Sequence, residues 1–314
     1  LFPYTTLFRS SCRSNKRKGN RSKNSGKAAS FHCAVTTVNT VGIQISEGIL
    51  RICRVDDEGA LVSAQRVNLE VTLSPYDWAH PDERLVETIT AHLTPGQEAV
   101  SLSLPGGFYQ MRRVPLEVAE EVDRRSQVVW EVSQSLSSPE GAHTVEYVVR
   151  GSSAIWIATP NACIDALSSA FERRGMDLSN TCPAPIALVH ALIKKQPVGQ
   201  ITGILSESGW VSRIDLENRK LVSATTTSPQ GGDLEIKSPR QDILEATALK
   251  RAEEEPPQGE TYLVGDTKDL DRMSDSIDHL DRLYPCGQNP GDNIDTLSTI
   301  AYGAALSATS EVSL

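Results

Sequence analysis

Val41 to Ala64 reads VGIQISEGILRICRVDDEGALVSA, and Gly203 to Ala224 reads GILSESGWVSRIDLENRKLVSA. Ser46-Glu47 and Gly48 match Ser206-Glu207 and Gly209. Leu61-Val62-Ser63-Ala64 matches Leu221-Val222-Ser223-Ala224. The offset is about 160 residues at both ends, with one insertion and one compensating deletion between. Each copy runs in the same order: a short apolar run, a Ser/Glu/Gly turn, a second run, a polar turn and a third run. The polar turns are Asp56-Asp57-Glu58-Gly59 and Glu217-Asn218-Arg219. That order predicts a three-stranded meander. Two meanders, each opening one half of a chain, predict a duplicated α/β domain.

Composition narrows the class. No apolar run approaches the roughly 18 to 20 residues that a bilayer-spanning helix needs. The six cysteines lie far apart with no CxxC pair. Cys53 and Cys163 fall within apolar runs, so buried free thiols are expected. The six histidines show no metal-ligand spacing, and His190, in an apolar helix, reads as a satisfied core residue. Residues 1–30 hold eight Lys and Arg and no acid, which leaves 23 basic against 40 acidic residues in the rest. A body that acidic repels phosphate backbones, so nucleic acid is not expected as a partner.

Residues 1–38 are left out of the fold. LFPYTTLFRS at 1–10 resembles translated adapter sequence, and 11–38, rich in Ser, Lys, Arg, Asn and Gly, reads as disordered. Residues 39–158 are predicted to form the first half, with an inserted subdomain over about 75–150, and 159–314 the second. After the first meander come a helix over 82–93 and the strand AVSLSL at 99–104. A Pro105-Gly106-Gly107 turn leads to a partner strand over 108–114. Pro115 opens a long helix with Val118, Val122, Val129, Val132 and Leu136 as its core stripe and Trp130 packed beside it. Strands over 144–149 and 154–158 follow, then a helix with Ile164, Leu167 and Phe171 buried and Gly175 as its stop. Residues 184–194 are helical. Beyond the second meander, helices are predicted over 242–255, 269–283 and 296–306, with a strand over 261–264. In the 269–283 helix Met273, Ile277 and Leu280 face inward.

Several stretches together resemble the actin-like ATPase superfamily, and within it the type IV pilus assembly protein PilM family. VGIQISEGILRIC resembles a first phosphate hairpin. SLPGGFYQMRRVPL, WEVSQSL and HTVEYVV resemble an inserted subdomain. IWIATPNACIDALSSAFERRGMDLSNTCPAPIALVHAL resembles the crossover into the second half, TYLVGD an adenosine loop and AYGAALSA the closing helix. The resemblance covers Val41 to Ser307. It implies the duplicated actin-like, RNase H-like fold and vestigial nucleotide loops at Ser46, Glu47, Gly48, Ser206, Ser208, Gly209 and Gly265.

In the superfamily each phosphate hairpin begins Asp-apolar-Gly and continues with hydroxyl residues, so that backbone N–H groups and a metal carboxylate hold the phosphates. Here Gln44 stands for the first Asp, Ser46 for the Gly and Glu47 for a hydroxyl residue. Leu205 and Glu207 stand for the second Asp and Gly. A glutamate beside a triphosphate costs about 1 kcal/mol or more per close pair. The expectation is therefore a pseudo-ATPase with no catalytic residue and no metal site. No cofactor is expected, ATP with Mg²⁺ being the ligand the ancestral loops would take. The resemblance implies a cytoplasmic scaffold, peripheral at the inner membrane through the tail of a bitopic, PilN-like protein, in a pilus or secretion machine. Self-association is a further expected contact. The competing expectations are the actin-like part of a type II secretion L-type protein and an active ATP-binding member of the superfamily.

Overall fold

A computed structural model describes residues 39–46, 48–69, 83–117, 120–207, 209–227, 259–265, 280–285 and 294–309. Strands β1 (Asn39–Ser46), β2 (Ile49–Val55) and β3 (Leu61–Asn68) pair antiparallel in sequence. Helix α1 (Glu83–Thr90) leads to β4 (Glu98–Leu104), which pairs parallel with β1. The second half repeats the plan. Strands β9 (Gln200–Glu207), β10 (Trp210–Glu217) and β11 (Lys220–Thr227) pair antiparallel, and β12 (Glu260–Gly265) joins β9 in parallel. Each sheet gains a fifth, parallel strand: β8 (Asp177–Pro183) on β4 and β13 (Leu280–Arg282) on β12. The orders β3-β2-β1-β4-β8 and β11-β10-β9-β12-β13 are therefore the same plan used twice.

The register of the repeat differs from the sequence match. In the first hairpin Ser46 lies opposite Ile49, and in the second Glu207 lies opposite Trp210. Ser46 is thus equivalent to Glu207, not to Ser206, and Gly48 to Gly209. Both copies carry a register shift at the same place, and a second turn one residue shorter restores the match at Ser63 and Ser223. That turn places Asn218 and Arg219 at φ 49° and 68°, the left-handed pair of a two-residue hairpin whose twist suits the flanking strands.

The insert is a three-stranded sheet in the order β5-β7-β6, made of β5 (Gln110–Pro115), β6 (His143–Arg150) and β7 (Ser153–Pro160), with α2 (Glu121–Leu136) on one face. Val114, Ala154, Trp156 and Ala158 meet Val128 and Val132 of α2. Tyr109, Met111, Ile155 and Ile157 share a core with Ile214, Leu216, Leu221 and Ala224 of the second half. The insert therefore clasps the second sheet. Helix α3 (Asn161–Glu172) buries Leu167 and Phe171 against the first sheet's core and stops at Gly175, φ 71°. Helix α4 (Ala184–Lys195) packs on the second sheet, and α5 (Ser298–Thr309) on the first. The two helices lie against each other between the sheets. Gly303 of α5 permits this, since a Cβ there would sit 1.9 Å from the Ala187 carbonyl oxygen. Gly42 of β1 lets α5 approach the first sheet, where a Cβ would sit 1.8 Å from the Ala301 carbonyl oxygen.

Several expectations are corrected. The helix expected from Pro115 starts at Glu121, because β5 runs on through Pro115 opposite Ser153. Trp130 is 52% exposed rather than packed. Residues 177–183 form a strand that sequence reading passed over. Leu280 belongs to a strand and not to a helix, because β12 offers it a parallel edge. Strands β4 and β8 both lie in the first sheet. Val118, the loop over 75–81, the helix over 242–255 and residues 269–279 lie outside the described residues.

Candidate functional site

The two hairpins meet across the cleft between the halves. Gly48 and Gly209 turn them at φ 72° and 79°, where a side chain would be strained. Gln44 lies directly opposite Arg51 on β2, and Arg51 opposite Arg66 on β3. Cross-strand pairing thus builds one polar row over three strands of the first sheet. The equivalent row in the second sheet is Leu205, Ser212 and Thr226, with the two hydroxyls 2.9 Å apart.

The first row is wired across the cleft. Gln44 Nε2 donates to Glu207 Oε1 at 2.5 Å, joining the end of β1 to the end of β9. Arg51 Nη1 donates to Gln44 Oε1 at 3.0 Å and to Ser46 Oγ at 3.2 Å. Its Nε and Nη2 grip the Asp295 carboxylate at 2.7 to 2.8 Å, and Arg66 Nε lies 3.7 Å from the same group. Asp295 accepts from the backbone N–H of Ser298 at 2.9 Å and receives its hydroxyl, so it also caps α5. Burial alone would raise the Asp295 carboxyl. The Arg51 hydrogen bonds and charge, with the Ser298 bonds, outweigh that and hold it below the usual carboxylate range. Gln44, Arg51 and Glu207 are all at most 3% exposed. A bidentate arginine–carboxylate pair of this kind is strongly directional.

Two further contacts close the same region. Trp210, which starts β10, rests on the Pro105-Gly106-Gly107 turn: a Cβ on Gly106 would lie 2.3 Å from Trp210 Cγ. At the end of β12, Thr296 Oγ1 accepts from the Gly265 N–H at 3.1 Å and donates to the Gly265 carbonyl at 2.6 Å. Both backbone groups of Gly265 are thereby engaged by this chain's own side chain.

Ser46, Gly48, Ser206, Gly209 and Gly265 are all placed at this cleft by the strand ends that carry them. Glu47 and Ser208 lie outside the described residues. Sequence reading missed Arg51, Arg66, Asp295 and Thr296. Only the coincidence of Gln44 opposite Arg51 in a meander register was available to suggest the row, and nothing local pointed to Asp295, 244 residues away. His190 is buried as expected but not satisfied: neither ring nitrogen has a hydrogen-bond partner among the described residues. Cys53, Cys163 and Cys182 are buried thiols that form no disulfide among the described residues. Among the described residues no group of three or more His, Cys, Asp and Glu is placed to hold a metal, and no helix is long and apolar enough to cross a membrane.

The duplicated sheets, the central helix pair and the facing hairpins define an actin-like ATPase fold. Among solved structures the chain is similar to that of the PilM–PilN type IV pilus biogenesis complex, at 13% identity and a TM-score of 0.63, over 87% of this chain and 99% of that one. It is also similar to the cytoplasmic domain of EpsL, an inner-membrane component of the Vibrio cholerae type II secretion system. There the identity is 9% and the TM-score 0.51, over 85% of this chain and 94% of that one. No family model matches the sequence. No curated protein matches it either.

Proposed function

We propose that this chain is a non-catalytic scaffold of a type IV pilus or related secretion machine, lying at the inner membrane by holding the cytoplasmic tail of a bitopic, PilN-like protein. The fold likeness to PilM and to the EpsL cytoplasmic domain supports the class of machine. The observation that carries the non-catalytic part is the wired row: Gln44, Glu207, Arg51 and Asp295 join one another where the two phosphate hairpins face. A magnesium nucleotide does not suit these residues. Its phosphates would meet the Glu207 carboxylate, and the Arg51 guanidinium is already spent on Asp295, Gln44 and Ser46. Peptide capture needs no catalytic group, so a fold emptied of its metal carboxylates keeps that capacity.

The test is a pull-down with the cytoplasmic tail of a bitopic protein encoded beside this gene, paired with calorimetry of ATP and Mg²⁺. Tail binding without nucleotide heat is expected. Absence of tail binding removes the scaffold reading, and saturable nucleotide heat removes the pseudo-ATPase reading. The likeness to EpsL favours a second reading, the actin-like part of a type II secretion L-type protein. Genomic sequence beyond Leu314 that encodes a membrane span would select it.

A further inference from the structure

Strand β6 lies at the edge of the insert's sheet: it pairs with β7, and among the described residues no strand pairs with its outer side. It carries four apolar residues, Val145, Tyr147, Val148 and Val149, among polar and charged ones. Val145, Tyr147 and Val149 point to the α2 face and Val148 to the other, yet every one of them is only half-buried. An unpaired edge strand of eight residues without proline or bulge is a template for another strand, and here the charge on it comes from Glu146 and Arg150.

On the face away from α2, Glu146, Val148 and Arg150 follow one another at the two-residue spacing of a strand. Two of these side chains carry buried polar atoms that lack a partner among the described residues. Glu146 Oε2 has none, and burial pushes that carboxyl up to about 8. Arg150 donates through Nε to the Leu221 carbonyl and through Nη1 to the Val149 carbonyl, but Nη2 has no partner. A buried carboxyl group and a partly buried guanidinium left incomplete cost stability that a complementary ligand would return.

We infer that β6 receives an extended peptide as a fourth strand, and that the peptide carries a basic side chain opposite Glu146, an apolar one opposite Val148 and an acidic one opposite Arg150. Cross-strand pairs on one face are the unit by which a sheet reads its neighbour, so the three side chains set both register and charge pattern. The biological peptide rests on the scaffold reading, in which it is the tail of the membrane partner. The site itself does not.

The experiment uses the full chain and fluorescein-labelled synthetic peptides of ten residues. One peptide carries Lys, Val and Glu at alternate positions, a second carries them in reverse order, and a third has Gln in place of both charges. Anisotropy is expected to show one charged order binding at least tenfold more tightly than the Gln peptide. Glu146→Gln, which is nearly isosteric, should remove that advantage, and Glu146→Lys should transfer it to a peptide with Glu in place of Lys. Hydrogen exchange should show new protection along 143–150 in the complex. Equal affinity for all three peptides, or binding indifferent to Glu146→Gln in a chain whose circular dichroism is unchanged, overturns the inference. A membrane-partner tail that binds with full affinity to Glu146→Gln overturns it while leaving the scaffold reading intact. Charged peptides that bind through Glu146 beside a tail that does not bind reverse that outcome.

Discussion

Arg51 is the residue on which the cleft depends. Its guanidinium is 3% exposed and faces Asp295, Gln44 and Ser46 at once. Arg51→Ala leaves Asp295 without its counter-charge and Gln44 without its donor. A loss of about 3 kcal/mol or more is expected, as for other buried pairs broken from one side. Urea midpoints at constant slope check this, and a loss under about 1 kcal/mol would mean that the row is not structural. His190 gives a pH dependence of known sign. Burial without a partner lowers its pKa from 6.5 to about 4. A group with a depressed folded pKa contributes full stability above pH 6.5. That contribution is lost as pH falls from 6.5 towards 4, at about 1.4 kcal/mol per unit, because the unfolded chain takes up the proton that the core refuses. Glu146 slopes the other way between 4.5 and 8, since its folded pKa is raised. The clean measurement is therefore the difference between wild type and His190→Leu. Relative to the variant, wild type should lose stability on acidification from pH 6.5 to 4, and a flat difference would show that His190 finds a partner.

At the scale of elements, an aromatic contact helps to seat the hairpin of the second half. Gly106→Ala places a methyl where Trp210 lies, and should cost about 1 to 3 kcal/mol by overpacking. Trp210→Ala in the same chain should recover most of that loss, so a double-mutant cycle is expected to show strong coupling. Additive losses would mean that the strain is relieved elsewhere. Elements whose pattern was local were legible: β1 to β3, β9 to β11, α3 and α5 all follow from apolar spacing, glycine stops and turn residues. Strand β8 was not, because DLSNTCP has little apolar alternation. Its middle residue, Asn180, is buried and satisfied by Ser101 and Ser307, which belong to β4 and α5. Leu280 misled for the opposite reason. Its neighbours carry a helical period, but a parallel partner on β12 was invisible from the sequence.

For the whole molecule, the connections between halves are extensive. The insert's Tyr109, Met111, Ile155 and Ile157 share one core with the second sheet, with α4 and with Leu297 and Ile300 near the chain's end. A second core joins Cys53 and Val55 of β2 to Ala191 of α4 and to Tyr302 of α5, whose hydroxyl donates to the Gly59 carbonyl. Two halves so joined should unfold together. Urea denaturation followed by tryptophan fluorescence and by circular dichroism is expected to give one coincident transition. Two separated transitions would show that the halves are independent and that the cleft network is only a contact between them.

The sequence by itself determined the duplication and the α/β class, because strand periodicity and turn chemistry are local properties. It also placed Ser46, Gly48, Ser206, Gly209 and Gly265 at hairpin and strand ends. Only the tertiary structure decided what fills the cleft. Gln44 and Glu207 are 163 positions apart and Arg51 and Asp295 are 244 apart, and no local pattern specifies a partner at such distance. Nor could the one-residue register between the hairpins be read from matching letters, since hydrogen bonding across β1–β2 and β9–β10 pairs Ser46 with Glu207 by position, whatever the side chains. The physical reason is the same throughout: strand pairing and buried charge are settled by what the folded chain brings into contact.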